Sequence, residues 1–173
     1  MHSTEAATFR FDKAVLDRLR KEAKQKQISL NALLNQIVKS HIEWHANAAS
    51  VGFIPVRKKM ITKVFDSLTD EQINAVASNL SQDISDGNLM MLVREHTPKA
   101  WLEFMENWLK AAGINYQCEN AGDYVTFLIQ HDMGAKWSYY LACLFGGTAS
   151  TFLSLRPEIK AAKNALRIKL NVT

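Results

Sequence analysis

The chain has 173 residues, of which 47% are hydrophobic and 22% charged, a composition ordinary for one or two folded domains. Seven glycines and three prolines are too few for a collagen-like or low-complexity chain. Two isolated cysteines, Cys118 and Cys143, form no paired metal or redox motif and favour a reducing compartment.

The first ten residues lack the apolar segment of a signal peptide. The uncharged run 137–155 is interrupted by serine, threonine, tyrosine and glycine, which makes it too polar to span a membrane. We therefore expect a cytoplasmic protein with no membrane partner.

Positive charge is concentrated near the N-terminus. The 21 basic side chains exceed the 17 acidic ones by four, and residues 1–50 hold eight basic and five acidic side chains. Three of the four net charges therefore belong to the first third of the chain. Such asymmetry favours a polyanionic partner for that part.

The same third predicts a strand followed by two helices. Polar and aromatic side chains alternate over residues 8–11, as in a one-sided strand, and Asp12 is a candidate N-cap for the helix that follows. After a break at residues 26–28, Ser29 is a candidate N-cap for a second helix. Apolar residues recur at helical spacing in both helices, at Val15, Leu16, Leu19 and Ala23 and then at Leu30, Leu33, Leu34, Ile37, Val38 and Ile42.

A strand of four residues cannot stand alone, because its backbone groups need hydrogen-bond partners. This segment contains no second strand. The pattern therefore predicts pairing with the same strand of another chain, in a two-fold homodimer with an intermolecular β-ribbon.

Residues 6–45 resemble the ribbon–helix–helix DNA-binding family, the Arc- and MetJ-type repressors. The resemblance is carried by Thr8-Phe9-Arg10-Phe11-Asp12, by the helix pattern from Val15 to Ala23, and by Ser29-Leu30-Asn31 at the start of the second helix. In this family the ribbon lies in the major groove of DNA, which admits two strands. The resemblance implies an N-terminal ribbon–helix–helix domain and a homodimer.

The resemblance also implies particular DNA contacts. Thr8 and Arg10 would face the bases, with Ala6 at the start of the ribbon, while Phe9 and Phe11 would face the dimer core. Phosphates would be contacted by the start of the second helix, Ser29, Leu30 and Asn31, and by the lysines Lys13, Lys24 and Lys26.

Two residues depart from the family pattern. Gln27 stands in the turn where members often have glycine with a positive φ, and it would cost up to about 1 kcal/mol there. Asp12 stands where many members have proline, and it places a negative charge near the ribbon.

Small and polar residues at 46–52, followed by Pro55, indicate a linker. We predict a DNA-binding and dimerisation domain at residues 1–46, a linker at 47–55, and a sensor or oligomerisation domain at 56–173.

The third segment predicts helices alternating with hairpins. Helix signals are an apolar stripe over 61–68, a capping box at Thr69–Gln72, and Thr97-Pro98 followed by a stripe that Gly113 closes. Hairpins are predicted at 114–131 and 158–172, with a helix over 134–150 between them and a short strand at 152–155. Residues 89–93 form an apolar run of undecided type. The fold class is therefore α+β, an antiparallel sheet covered on one face by helices.

A polar cluster at the junction between the first hairpin and the following helix is a candidate pocket for a small-molecule effector. The alternative is that Asp132 caps the helix and His131 bonds locally. The candidate pocket residues are His131, Asp132, Lys136, Trp137 and Ser138.

Two other groups of residues favour ordinary structural roles. His41 and His45 have a metal-binding spacing but no evident third ligand, so we predict no metal. The stripe of Trp101, Phe104, Met105 and Trp108, with Met90-Met91, could line an effector pocket but is more typical of a core or interface.

Nothing resembles a nucleotide-binding loop, a catalytic triad or a zinc-protease motif, so we predict no enzyme and no cofactor. The sequence predicts a sequence-specific DNA-binding transcription regulator of repressor type. The alternative is an antitoxin-like or assembly protein whose C-terminal domain binds a partner protein.

Overall fold

A computed structural model describes residues 5–83, 95 and 97–172. They form helices and a four-stranded antiparallel sheet, which confirms the predicted α+β class. Backbone contacts divide the chain into an N-terminal unit that ends at Ile42 and a C-terminal unit that begins at Glu43.

The N-terminal unit contains two helices, α1 (Lys13–Gln25) and α2 (Leu30–Ser40). Residues 5–12 have no regular secondary structure in the single chain, so the β-ribbon expected between two chains stays a prediction. Asp12 occupies the N-cap position of α1, but its side chain makes no capping hydrogen bond. Ser29 caps α2 as predicted, since its Oγ accepts from the amide of Ala32 at 3.0 Å.

The turn between α1 and α2 is a Schellman motif. The amide of Ile28 donates to the carbonyl of Ala23 at 3.0 Å, and the amide of Gln27 donates to the carbonyl of Lys24 at 3.2 Å. Gln27 has a φ of 55°, in the left-handed region that favours glycine. The expected strain at this position is therefore present.

The C-terminal unit begins within a π-helical turn, His41–His45, followed by the single turn α3 (Ala46–Ala48). The longer helices that follow in the described part of the chain are α4 (Lys58–Asp66), α5 (Asp70–Asp83) and α6 (Pro98–Ala111). The last long helix is α7 (Ala135–Leu153). Residues 47–55, predicted as a linker, include Ala48, which is buried in the core of this unit.

Most helix ends follow the predicted signals. Thr69 and Gln72 form the capping box, in which Thr69 N–H donates to Gln72 Oε1 at 2.8 Å and Gln72 N–H donates to Thr69 Oγ1 at 3.3 Å. Thr97 Oγ1 accepts from the amide of Ala100 at the start of α6. Gly113, with a φ of 61°, ends α6 in a second Schellman turn.

The sheet has the order β1-β2-β4-β3, with all neighbours antiparallel. Its strands are β1 (Asn115–Ala121), β2 (Tyr124–Gln130), β3 (Glu158–Ala162) and β4 (Ala165–Asn171). Alternate residues of the central strands are buried, and Phe127 lies opposite Ile168. Burying such side chains contributes roughly 1.5–3 kcal/mol each. The opposite face is exposed, and there Lys169 Nζ lies 4.1 Å from the Tyr124 ring centre.

Helix α7 packs on β3 and β4 and is covered by α5 and α4. It carries one charged residue, Lys136, and Leu141 and Ala149 within it are fully buried. Helices α5 and α7 approach closely at Ser81 and Gly147, where a Cβ added to the glycine would lie 2.8 Å from Ser81 Oγ. The core of the unit thus lies between the covered face of the sheet and the helices.

The predicted strand at residues 152–155 is wrong. Helix α7 continues to Leu153 and ends at Ser154, which has a φ of 55°. The amide of Leu155 donates to the carbonyl of Ala149, which closes the helix. The apolar run at 89–93 lies outside the described residues. In the described part of the chain, no helix is both long and apolar enough to cross a membrane.

Candidate nucleic-acid interface and ligand cavities

The three candidate base-contacting residues are all exposed. Ala6, Thr8 and Arg10 lie in the segment before α1, which also exposes Phe9 (70% accessible) and Phe11 (41%). The two phenyl rings are 6.5 Å apart between centres. Within residues 5–83, Arg10 forms no ion pair, so its guanidinium is available to a ligand.

The candidate phosphate contacts gather at helix ends. Lys13 begins α1, Lys24 lies in its last turn, and Lys26 follows it as the C-cap. Lys26 is paired with Glu22 at 2.7 Å, and both side chains are about half exposed, so its charge is partly neutralised. The first amides of an α-helix have no partner within the helix, and Leu30 and Asn31 supply such amides at the start of α2.

The N-terminal unit has little core of its own. Among its described residues, Ala23 and Leu33 are buried. Chains below about 40 residues usually need a disulfide, a metal or oligomerisation to fold. The large apolar side chains that this unit leaves exposed are Phe9, Phe11, Val15, Ile37, Val38 and Ile42.

The polar junction predicted as a pocket is a compact hydrogen-bonded cluster. The Nε2 of His131 lies 2.8 Å from Ser138 Oγ, and the amide of Met133 donates to His131 Nδ1 at 3.1 Å. Since Nδ1 accepts, the proton of the neutral ring is on Nε2 and points to the serine. Ser138 Oγ in turn donates to the carbonyl of Lys163 at 3.3 Å.

His131 is fully buried, and this burial lowers its pKa from the ordinary value of 6.5. The nearby Asp132 carboxylate opposes that shift and the Lys58 ammonium adds to it. The cluster also joins the start of α7 to the β3–β4 turn, because the amide of Gly134 donates to Asn164 Oδ1 at 2.9 Å. Of the residues that the sequence analysis brought together, His131 and Ser138 are therefore hydrogen-bonded to each other.

The remaining junction residues point to different surroundings. Lys136 Nζ donates to the carbonyl of Leu68, in the turn after α4. Asp132 is exposed, with a φ of 55°. Trp137 is 9% exposed, and its ring packs edge-on against Phe65 at 4.8 Å between centres. Of the five predicted pocket residues, Trp137 lines a cavity described below.

A cavity of about 570 Å³ lies beside the aromatic stripe of α6, and we call it the Trp101 cavity. Trp101, Phe104 and Trp108 line it, whereas Met105 is fully buried beneath. The indole of Trp101 donates to Thr148 Oγ1 at 3.2 Å. The aromatic stripe therefore belongs both to the core and to the wall of this cavity. Met90 and Met91 lie outside the described residues.

A second cavity of about 630 Å³ is named here the Trp137 cavity. It shares Phe53 and Trp108 with the first as a common wall. Both volumes fall within the range of roughly 300–1,000 Å³ that is usual for ligand sites. The other principal lining residues of the Trp137 cavity are Trp44, His45, Lys58, Ile61, Met133 and Trp137.

Metal-ligating side chains do not cluster in the described residues, where no group of three or more His, Cys, Asp or Glu could hold an ion. Both cysteines are free, with Cys118 exposed and Cys143 half-buried. A comparison of the chain with protein-family models gives no match, and a comparison with characterised proteins gives none either.

Sequence reasoning missed the cavity residues of the segment after α2. Trp44 and Phe53 lie in or beside the predicted linker, yet their rings are 4.9 Å apart in an edge-on contact and pack against the core. Two aromatic residues beside a stretch of alanines were the available signal. Such residues in a supposed linker indicate burial.

Proposed function

We propose that this protein is a sequence-specific DNA-binding transcription regulator that acts as a homodimer of ribbon–helix–helix type. In this proposal residues 8–11 of two chains pair as an antiparallel ribbon in the major groove. Arg10 donates two hydrogen bonds to the O6 and N7 atoms of guanine, and Thr8 contacts a neighbouring base.

The observation that carries the proposal is the exposed apolar surface of the N-terminal unit. This unit buries Ala23 and Leu33 but leaves large apolar side chains exposed on the segment before α1 and on α2. A second copy of the same unit supplies the missing core. The aromatic side chains at positions 9 and 11 then turn inwards, which leaves Thr8 and Arg10 on the outer face of a two-stranded ribbon.

Charge supports DNA as the ligand of that outer face. The segment from Arg10 to Lys26 contains seven basic and three acidic side chains. The start of α2, with Ser29 as its cap, offers amide donors and the positive end of a helix dipole to a phosphate. Base contacts then provide specificity, and phosphate contacts provide affinity that falls as salt rises.

The deciding experiment is selection of genomic DNA fragments by the full-length protein at about physiological salt. The wild-type chain is expected to enrich a short repeated half-site. The variant Thr8→Ala/Arg10→Ala is expected to lose that enrichment while keeping weak, salt-dependent binding, because each bidentate base contact contributes roughly 1–3 kcal/mol of discrimination.

Arg20→Ala is the charge-matched control. Its guanidinium lies 3.4 Å from Asp17 on the exposed side of α1, outside the proposed interface. This variant should enrich the same half-site as the wild type. Equal enrichment by Thr8→Ala/Arg10→Ala and by the wild type would overturn base reading by the ribbon.

A second candidate function is binding of a partner protein by the C-terminal unit, as in an antitoxin-like or assembly protein. It is favoured by apolar side chains exposed at helical spacing, Met60 and Val64 on α4 and Val76 and Leu80 on α5. Such a face fits either a partner protein or a second dimer. Light scattering on the purified chain distinguishes a partner protein from a second dimer. Association of dimers gives a mass above that of one dimer without any added protein.

A further inference from the structure

We propose that the Trp137 cavity binds a small amphipathic carboxylate, a molecule with an apolar aromatic or alkyl body and one acid group. This inference deepens the effector role suggested for the C-terminal unit, but it rests on that unit alone and holds whether or not the chain binds DNA. Three properties of the cavity carry it: its volume, its apolar wall and its charge.

The wall of the cavity fits an apolar body. Its lining includes the aromatic residues Trp44, Phe53 and Trp108 and the aliphatic residues Ile61 and Met133. Aromatic and aliphatic walls of this kind attract a ligand in rough proportion to the apolar area removed from water. A volume of about 630 Å³ is large enough for a medium-chain or bicyclic molecule.

The charge of the cavity selects the head group. Among the described lining residues there is one lysine, Lys58, one histidine, His45, and no aspartate or glutamate. A carboxylate is therefore attracted, whereas an ammonium group meets a cation without a counter-charge. The imidazole of His45 adds a side chain able to donate a hydrogen bond to the acid.

Lys58 is held in position to make that contact. Its Nζ donates to the carbonyl of Gly113 at 3.2 Å, which ties the start of α4 to the end of α6. An ammonium group has three N–H donors, so this bond leaves others for a ligand. The adjacent Lys59 is exposed and is not among the described lining residues, which makes it a matched control.

The ring of Trp137 contributes to the apolar wall of the cavity. Its Nε1 has no hydrogen-bond acceptor among the described residues and is shielded from solvent, so a ligand in the cavity contacts the ring and not the N–H.

The test is isothermal titration calorimetry of the full-length protein with dodecanoate, dodecanol and dodecylammonium, each below its micelle concentration. These probes share one alkyl chain and differ in the head group. We expect dodecanoate to bind at one molecule per chain and about tenfold more tightly than dodecanol, as one charge-assisted hydrogen bond implies. Dodecylammonium should bind more weakly than the alcohol.

The variant Lys58→Met should weaken dodecanoate binding about tenfold and leave dodecanol binding unchanged, while Lys59→Met should change neither. Binding of dodecanol reports whether each variant keeps an intact cavity.

Three results would overturn the proposal: no saturable binding of dodecanoate, equal affinities for the acid and the alcohol, or an unchanged affinity in Lys58→Met. DNA selection on the same preparations is a separate measurement. If the protein binds dodecanoate but enriches no DNA, the ligand site is supported and the proposed regulator function is rejected. If it enriches a DNA half-site but does not bind dodecanoate, the regulator function is supported and the ligand site is rejected.

Discussion

Gln27 shows how one side chain can conflict with the backbone that it occupies. Its φ of 55° completes the Schellman turn between α1 and α2. Residues with a Cβ are strained there, because the Cβ approaches the following carbonyl oxygen. The turn persists because its two hydrogen bonds and the burial of Ala23 and Leu33 favour it.

The variant Gln27→Gly should therefore stabilise the N-terminal unit, by up to about 1 kcal/mol. Gln36→Gly is the control, because Gln36 is exposed in the middle of α2, where glycine costs about 1 kcal/mol relative to alanine. Urea unfolding followed by circular dichroism measures both. A loss of stability in both variants would contradict a strained turn.

His131 makes the stability of the C-terminal unit depend on pH. Burial lowers the pKa of this histidine in the folded state, whereas the unfolded chain has a value near 6.5. Above about pH 6.5 both states are neutral there, and the stability is fully present. Below that value the unfolded state gains a proton first, so the free energy of unfolding falls as pH falls.

We expect the wild-type chain to lose stability between pH 7.5 and 5.5, at a rate of at most about 1.4 kcal/mol per pH unit from this one group. The variant His131→Gln should lose that pH dependence. Ser138→Ala should be less stable at both pH values yet keep the dependence, because the buried imidazole remains. A slope in His131→Gln equal to that of the wild type would assign the effect to other groups.

At the scale of the element, the contact between α5 and α7 depends on the absence of a side chain. Gly147 lies against Ser81. A Cβ added to Gly147 would lie 3.0 Å from the Cβ of Ser81 and 2.8 Å from its Oγ. Gly146, its neighbour, has room, since an added Cβ would lie 3.5 Å from Ile159 Cδ1. Position 147 therefore has no room for a side chain, whereas the adjacent position 146 has room for a methyl group.

Gly147→Ala should destabilise the C-terminal unit by about 1–3 kcal/mol, as expected for overpacking. Gly146→Ala should instead stabilise it, by up to about 1 kcal/mol, because alanine favours a helix more than glycine does. Thermal unfolding of the two variants gives a direct comparison. Shifts of the same sign in both would contradict the close approach of α5 and α7.

Helix boundaries were predictable where a local chemical signal exists. Ser29, Thr69 and Thr97 cap helices through their own side chains, and Gly113 supplies a positive φ, so each acts within a few residues. The end of α7 lacks such a signal, since Ser154 adopts a left-handed conformation that glycine usually occupies. Its last turn therefore resembled a strand.

The cavities were not predictable from local patterns. The wall of the Trp137 cavity joins residues near positions 44–61, 108–114 and 133–137, which lie far apart in the sequence. Periodicity identifies the buried face of each element but not where several faces leave space between them. The His131 junction was predictable in part, because His131 and Ser138 lie seven residues apart across one strand-to-helix turn.

At the scale of the whole molecule, the two units differ in how much core each one has. The C-terminal unit has its own core, in which Trp101, Phe127 and Ile168 are almost fully buried. The N-terminal unit has two buried residues among those described. Its stability should therefore rise with protein concentration.

Phe9→Ser/Phe11→Ser should convert the proposed dimer into a monomer and leave the C-terminal unit folded. Sedimentation equilibrium measures the mass, and near-ultraviolet circular dichroism follows the tryptophans, all of which lie in the C-terminal unit. Tyr124→Ser/Leu128→Ser is the control, as it removes two exposed apolar side chains from the open face of the sheet. A mass unchanged by the phenylalanine substitutions would exclude a dimer built on those rings.

The enclosed position of α7, between the sheet and α5, also determines how fast its amide hydrogens exchange with deuterium. Hydrogen bonds in the middle of this helix open only when the whole C-terminal unit unfolds, so these amides should be the slowest in the chain. The amides of α1 and α2 should exchange through opening of the small N-terminal unit, and dilution should speed them alone. One deuterium-labelling series over protein concentration thus distinguishes the folding of one unit from the proposed association of the other.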